Sequence, residues 1–168
     1  AAEPARRAFA KAAGLARGPG RQIALTLSDG FVVERHRAAL MGFIDSQVDI
    51  LFANDTELCA LFETQDFDDA LEQLRVRVKL AAVTRGAQGS VIVASAEQIS
   101  VPAFGVEKVV DTTGAGDQYA AGFMFGLAKG RSLEDCGRLG SLAASEVISH
   151  YGPRPQVALK DLAAAKGR

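Results

Sequence analysis

Two cysteines, almost no net charge and no long apolar run exclude several classes of protein for this chain. Cys59 and Cys136 lie far apart and outside any CxxC or metal-ligand grouping, which favours a reduced, cytoplasmic setting with both thiols in the core. A net charge of −1 gives no electrostatic basis for binding nucleic acid or a membrane surface. No stretch approaches the roughly 18 apolar residues that span a bilayer.

The composition that is present is that of an ordinary globular chain. Its 168 residues, 48% hydrophobic and 23% charged, suit a single domain over residues 1–168 with a sizeable core. Apolar strands alternate with segments of helical spacing, which predicts an α/β fold: a mainly parallel sheet with helices on both faces. The predicted strands cover 22–28, 48–53 and 80–84, a hairpin covers 89–94 and 97–101, and helices cover 5–15, 33–44, 56–62, 67–78, 116–128, 133–149 and 157–165.

Residues 111–117, DTTGAGD, form the most informative segment of the chain. A glycine loop that opens directly into a helix leaves backbone N–H groups unpaired, and these attract an anion together with the helix dipole. Glycine lets the backbone close tightly on a phosphate. The carboxylate of Asp117 would repel that phosphate unless it acts on a neighbouring hydroxyl, so the combination indicates phosphoryl transfer.

Two other nucleotide-binding motifs fit the chain poorly. A Rossmann loop would need a third glycine, no acid inside the loop, and a strand-ending acid about 20 residues further on, whereas Asp117 lies inside the loop and a helix starts at that distance. A Walker loop is excluded because the chain contains no G-K-[S/T].

The DTTGAGD segment and the helix after it resemble the signature of the PfkB/ribokinase-type kinases of carbohydrates and nucleosides. The resemblance implies a ribokinase-like fold, ATP and Mg²⁺ as cofactors, and a small nucleoside or sugar as the acceptor. It assigns Gly114, Ala115 and Gly116 to an anion hole for the transferred phosphoryl group. It makes Asp117 the general base that takes the proton of the acceptor hydroxyl.

Asn54-Asp55-Thr56-Glu57 directly follows a predicted strand and allows two interpretations. Asn54 and Glu57 have the spacing of a capping box, in which each side chain bonds the other residue's backbone N–H. The family resemblance instead implies an N-x-x-E motif that organises Mg²⁺ and phosphate through water. Both interpretations are compatible, because a capped helix start is a rigid place for a carboxylate.

Three further assignments rest on position along the chain. Thr84, Gly86 and Gly89 form either a simple turn or, by resemblance, a T-x-G-x-x-G stretch beside the nucleotide. Ser141 lies on a helix that resembles the one bordering the adenine, where many sugar kinases have asparagine.

Asp111 and Thr113, with the region of residues 147–155, resemble a site for a monovalent cation such as K⁺ in some relatives. His150 is expected to be a helix-end residue with local partners rather than a catalyst.

The resemblance falls entirely on the C-terminal half of such kinases. We therefore expect the chain to be their nucleotide-binding portion, without the N-terminal portion that carries the lid and most acceptor-binding residues. Residues 27–31, 34–37, 52–54 and 146–150 are similar to bacterial adenosine kinases, which favours adenosine as acceptor. The alternative is a non-catalytic nucleotide-binding fragment or interaction module, and the oligomeric state stays open.

Overall fold

The computed structural model describes residues 3–95 and 97–166. Strands and helices alternate along most of this length. The strands are β1 (Ala24–Thr26), β2 (Ile50–Asn54), β3 (Leu80–Thr84), β4 (Ser90–Ala94) and β5 (Glu97–Val101). The helices are α1 (Glu3–Ala16), α2 (Gly30–Gln47), α3 (Asp55–Phe62), α4 (Phe67–Arg75), α5 (Ala115–Ala128), α6 (Leu133–Val147) and α7 (Leu159–Lys166), with a short 3₁₀ turn at Gly86–Gln88.

The five strands follow the order β1-β2-β3-β4-β5 in one sheet. β1 and β2 are parallel, with Leu25 opposite Leu51, and α2 forms the crossover that a parallel pair requires. Only residues 95 and 96 separate β4 from β5, and a connection this short allows only an antiparallel hairpin. The predicted α/β architecture with a mainly parallel sheet and one hairpin is therefore confirmed.

The largest difference from the sequence-based prediction concerns β1. The predicted buried strand covered residues 22–28, but the observed strand has three residues, and Ala24 and Thr26 are exposed. α2 begins earlier than predicted because the Asp29 side chain accepts the N–H groups of Phe31 and Val32 at 2.7 and 3.3 Å, an N-cap interaction. The Asp29 side chain thus allows residues 30–32, predicted to connect the strand to the helix, to form the first turn of α2.

The chain divides into two compact units. The first runs through Ala82 and includes Val93–Glu97, and the second comprises Val83–Ile92 and the chain from Gln98 onward. Each unit has its own buried apolar side chains. Those of the first include Leu27, Val33, Ile44, Leu51, Leu58, Leu61 and Leu74, and those of the second include Val83, Ile92, Val101 and Phe123.

Close packing of α5 against α6 organises the second unit. A Cβ at Gly122 would collide with the Leu139 carbonyl, and one at Gly126 would lie 2.8 Å from the Cys136 sulfur. Cys136 is fully buried, as predicted, whereas Cys59 is only partly buried. This contact fixes the direction of α5, whose N-terminus carries the DTTGAGD segment.

Within residues 3–95 and 97–166, no helix is both long and apolar enough to cross a bilayer.

Candidate functional site

The N-terminus of α5 presents unused backbone donors. Gly114 is the N-cap, with φ 82°, and it provides no side-chain cap. The Ala115 N–H bonds to the Thr112 carbonyl at 3.1 Å, and the Gln118 N–H bonds to the Gly114 carbonyl at 2.9 Å. Among the described residues, none accepts a hydrogen bond from the N–H of Gly116 or Asp117. These two donors and the positive end of the helix dipole can bind an anion.

Asp117 lies in the first turn of α5 and is exposed to solvent. An accessible carboxylate can take a proton from a hydroxyl, which is the chemistry that the sequence predicts for Asp117.

Asp111 stabilises the start of the DTTGAGD loop by accepting two backbone hydrogen bonds. Its two carboxylate oxygens accept the N–H groups of Thr113 at 2.9 Å and of Gly152 at 3.0 Å. The Thr113 side chain, followed by these two backbone donors, lowers the pKa of Asp111 to about 2, because each bond favours the ionised form. Asp111 is thus a charged anchor between the loop and the chain after α6.

A cavity of about 180 Å³ in the second unit brings most of the predicted nucleotide residues together. They come from three separate parts of the chain: the turn after β3, the start of α5 and the middle of α6. Six predicted residues line it: Thr84, Gly86, Gly89, Ala115, Gly116 and Ser141. Gly114, Thr113 and Asp117 flank the lining residues of the loop but do not line the cavity.

The turn after β3 needs both of its glycines, as its simpler interpretation predicts. Gly86 and Gly89 have φ values of 54° and 89°. At Gly89, a Cβ would also collide with the Val101 carbonyl. Since the same turn lines the cavity, its structural role and a place beside a nucleotide are compatible.

Ser141 lines the cavity with its hydroxyl already engaged. The hydroxyl accepts the Phe104 N–H at 2.8 Å and lies 3.3 Å from the Pro102 carbonyl, to which it donates. Its single proton therefore points at the protein backbone. Ser141 holds the segment after β5 in place, and the segment contributes Ala103 and Phe104 to the cavity wall.

Tyr119 is a cavity residue that the sequence analysis did not identify. It is 3% exposed, and its phenol donates a 2.7 Å hydrogen bond to the Ser90 hydroxyl. Burial raises the pKa of Tyr119 to about 12, against the opposing effect of the Ser90 hydrogen bond. Ser90 and Tyr119 are 29 positions apart, so no local sequence signal indicates this pair.

Asn54 and Glu57 form the predicted capping box at the start of α3. The Asn54 side chain accepts the Glu57 N–H at 2.7 Å, and the Glu57 carboxylate accepts the Asn54 backbone and side-chain N–H groups, both at 3.0 Å. Glu57 is 6% exposed. Desolvation raises its pKa, and the Asn54 backbone bond opposes that shift. The interpretation of Asn54 and Glu57 as a capping box is confirmed.

In the described part of the chain, no three His, Cys, Asp or Glu side chains converge as a metal cluster. Asn54 and Glu57 belong to the first unit, whereas the cavity and the DTTGAGD segment belong to the second. The assignments of Asn54 and Glu57 to Mg²⁺, and of Asp111 and Thr113 to a monovalent cation, therefore remain predictions.

Comparison with known proteins identifies the family. Residues 23–159 match the family described as pfkB family carbohydrate kinase. The chain belongs to the pfkB family. The family and the ribokinase-like fold, both inferred from the DTTGAGD segment, are thereby confirmed.

Several pfkB-family relatives are similar over most of this chain. The crystal structure of adenosine kinase from Sinorhizobium meliloti has a TM-score of 0.93 and 53% identity, covering 96% of this chain and 50% of that one. A probable sugar kinase from Rhizobium etli has a TM-score of 0.94 and 45% identity, covering 97% and 50%. A cytidine kinase from Thermococcus kodakarensis is 39% identical over 119 residues, which are 69% of this chain and 42% of that protein. The chain thus spans about half the length of these pfkB relatives.

Proposed function

We propose that the chain is the nucleotide-binding portion of a kinase that transfers the γ-phosphoryl group of ATP to a hydroxyl of a nucleoside or sugar. One observation carries the proposal: six residues predicted in three separate parts of the chain line a single cavity at the start of α5. The unused N–H groups of Gly116 and Asp117 lie at the same helix end. A phosphate-bearing ligand suits such donors.

In the proposed reaction, the acceptor hydroxyl oxygen attacks the γ-phosphorus, and the bond from that phosphorus to the bridging oxygen of ADP breaks. Asp117 takes the hydroxyl proton. The loop of Gly114, Ala115 and Gly116 stabilises the charge that spreads over the transferring group, since positioning and electrostatics supply most of the catalysis in phosphoryl transfer.

Metal ions complete the proposal. Mg²⁺ neutralises charge on the β- and γ-phosphates when it is bound. Asn54 and Glu57 are suited to hold it through water, because amide and carboxylate oxygens are its usual partners. Asp111 and Thr113 would supply oxygen atoms to a monovalent cation such as K⁺.

Adenosine is the proposed acceptor. The support is the 53% identity to the Sinorhizobium meliloti adenosine kinase, together with the similarity to a cytidine kinase. Both relatives are named as kinases of nucleosides, and the adenosine kinase has a higher identity to this chain, 53%, than the sugar kinase from Rhizobium etli, 45%. Nucleosides therefore precede sugars in the order of acceptors to be tested.

The test is ADP release from Mg²⁺-ATP with adenosine, cytidine, other nucleosides, ribose and fructose. We expect acceptor-dependent release with adenosine and its loss in Asp117→Asn, while ATP binding persists. Asp68→Asn is the matched control, because Asp68 is an exposed aspartate in the first turn of α4. Turnover in Asp117→Asn at the rate of the unmodified chain would refute the assignment of the base.

A second candidate is a non-catalytic nucleotide-binding module. The observation that favours it is that the predicted residues lining the cavity are all assigned to the nucleotide or the phosphoryl group, and none to an acceptor. ATP binding without ADP release for any acceptor would support this candidate. Absence of ATP binding by the folded chain would refute both proposals.

A further inference from the structure

Glu146, near the end of α6, is a buried carboxylate with an unusual set of partners. Its side chain is 8% exposed. Oε1 accepts the backbone N–H groups of Gln156 at 2.8 Å and Val157 at 3.3 Å. Oε2 is also buried and has no hydrogen-bond partner among residues 3–95 and 97–166. A buried carboxylate oxygen without a partner is unfavourable, so the hydrogen bonds that Oε1 accepts have to hold this carboxylate in its buried position.

His150 fixes the orientation of that carboxylate. Its Nε2 lies 3.3 Å from Glu146 Oε1 and its Nδ1 lies 3.2 Å from the Tyr151 carbonyl. The His150 side chain is 13% exposed. These are the local partners that the sequence analysis expected for His150.

The chain that Glu146 holds has no regular secondary structure. Residues 150–157 lie between α6 and α7 and form bends without helix or strand. Without a helix or a strand ladder, the segment depends on side-chain acceptors to satisfy its N–H groups. Glu146 Oε1 accepts two of these N–H groups, those of Gln156 and Val157, which makes Glu146 the principal contact at the Gln156 end.

The other end of residues 150–157 contacts the DTTGAGD segment at two points and the next residue, Gln118, at a third. The Gly152 N–H bonds to Asp111 Oδ2 at 3.0 Å. The Pro153 carbonyl accepts a bond from Gln118 Nε2 at 3.3 Å. The ring of Pro153 packs directly against Gly114. Residues 150–157 thus form a physical link from Glu146 to the loop at the start of α5.

We propose that Glu146 is a positioning residue for phosphoryl transfer: through residues 150–157 it holds Pro153 against Gly114 and so keeps the N–H groups of Gly116 and Asp117 in place. The inference rests on the proposed function of this loop. Gly114 has a positive φ, and the contact with Pro153 blocks its movement away from that conformation. Loss of the Glu146 bonds frees the segment and allows the loop to relax.

The proposal predicts an effect that depends on the γ-phosphate. The donors of Gly116 and Asp117 serve the transferring group, so their misplacement should weaken binding of a non-hydrolysable ATP analogue more than binding of ADP. A purely structural role of Glu146 would weaken both equally or neither.

Two substitutions distinguish the loss of the hydrogen-bond acceptor at position 146 from a change in side-chain volume. Glu146→Leu keeps a similar volume but has no acceptor for the N–H groups of Gln156 and Val157. Glu146→Gln keeps one oxygen and should retain most of the function. Glu134→Leu is the control, because Glu134 is an exposed glutamate in the first turn of the same helix.

Hydrogen exchange and nucleotide affinity are measured together on each variant. In Glu146→Leu we expect amide exchange at Gly152, Gln156 and Val157 to rise by about tenfold or more. Exchange at Ala115 and Gln118, whose amides are bonded within the loop, should rise with it. Affinity for the ATP analogue should fall by at least about tenfold, the factor given by about 1.4 kcal/mol, with a smaller loss for ADP.

Pro153→Gly breaks the same link at its other end and provides a second variant if Glu146→Leu does not fold. It should reproduce the selective loss of ATP-analogue affinity while Gln156 and Val157 stay protected. Equal losses for ADP and the ATP analogue, or unchanged affinities despite faster exchange at Gln156, would overturn the proposal. Failure of the unmodified chain to bind either nucleotide would instead refute the proposed function. The exchange at Ala115 and Gln118 would then still test the link: faster exchange in Glu146→Leu supports it, and unchanged exchange refutes it.

Discussion

Gly114 lies so close to Pro153 that a Cβ on Gly114 would stand 2.6 Å from the Cβ of Pro153. Its φ of +82° also lies in the region that L side chains rarely adopt. Gly116, two residues further on, has no atom within 4 Å of its would-be Cβ apart from its chain neighbours and the adjacent backbone of its own helix. Two glycines of one motif therefore face different constraints: Gly114 is required by the fold, whereas Gly116 leaves space at the cavity.

Gly114→Ala should destabilise the folded chain. The left-handed conformation and the contact with Pro153 together should lower the free energy of unfolding by about 1–3 kcal/mol, measured by denaturant unfolding. Gly105→Ala is the control, because Gly105 has an ordinary φ and open space around it. Equal stabilities of the two variants would contradict the structural requirement at Gly114.

Gly116→Val should spare the fold and impair the site. Since the added side chain meets open space, the free energy of unfolding should change by less than about 1 kcal/mol. The branched side chain blocks the approach of a phosphate to the backbone, so ATP affinity and turnover should both fall. The control is Gly30→Val, a substitution in the first turn of α2 that also meets open space. Unchanged ATP affinity and rate in Gly116→Val would remove the loop from the site.

Asn54→Ala should lower the free energy of unfolding by about 1–2 kcal/mol, because it removes the cap of α3 and one of the bonds to the buried Glu57 carboxylate. Asn54→Ser keeps a capping oxygen and should recover most of that loss. Ser132→Ala removes a comparable cap, since Ser132 accepts the Asp135 N–H at 3.1 Å at the start of α6. Turnover of each variant is measured against Mg²⁺ concentration. A requirement for more Mg²⁺ in Asn54→Ser, but not in Ser132→Ala, supports the metal role, and identical Mg²⁺ curves contradict it.

Tyr119 should ionise only in strong alkali. Its pKa is raised to about 12, so the neutral phenol is favoured in the folded state. The resulting contribution to stability is complete below the ordinary tyrosine pKa of about 10 and is lost as the pH rises through about 12. Tyr151→Phe leaves Tyr119 as the single tyrosine, and the chain has no tryptophan, so phenolate absorbance reports this group alone. A midpoint near the ordinary value, in a chain that is still folded, would contradict the burial of the Tyr119 phenol, which raises the pKa.

The sequence predicted β3 over its observed range and came within one residue of the observed start of α5. Strong apolar periodicity and turn residues mark both. It missed the extent of β1, because Ser28, with a φ of 69°, has a left-handed conformation that a strand does not contain. It also expected α6 to reach Ser149, two residues beyond its observed end at Val147. Segment ends are decided by individual caps and contacts, which periodicity does not report.

The candidate site, too, was predicted only in part from the sequence. Thr84, Gly86, Gly89, Ala115 and Gly116 were predicted from short motifs, because glycine loops and helix starts carry local sequence signals. Ser141 was predicted from the family resemblance of its helix. Their convergence on one cavity, the Tyr119–Ser90 bond and the Glu146 contacts join residues from separate elements. No local pattern encodes such pairs.

By itself, the sequence determined the family, the alternation of strands and helices, and the loop that can bind a phosphate, since each depends on neighbouring residues and on backbone preferences. Only the tertiary structure decided which side chains hold that loop. Pro153 lies 39 positions after Gly114 in the sequence, and it reaches the loop because Asp111 and Glu146 satisfy the N–H groups of the segment between α6 and α7. Buried polar groups take their partners from whatever the fold brings within hydrogen-bond distance, and that is a property of the packed chain.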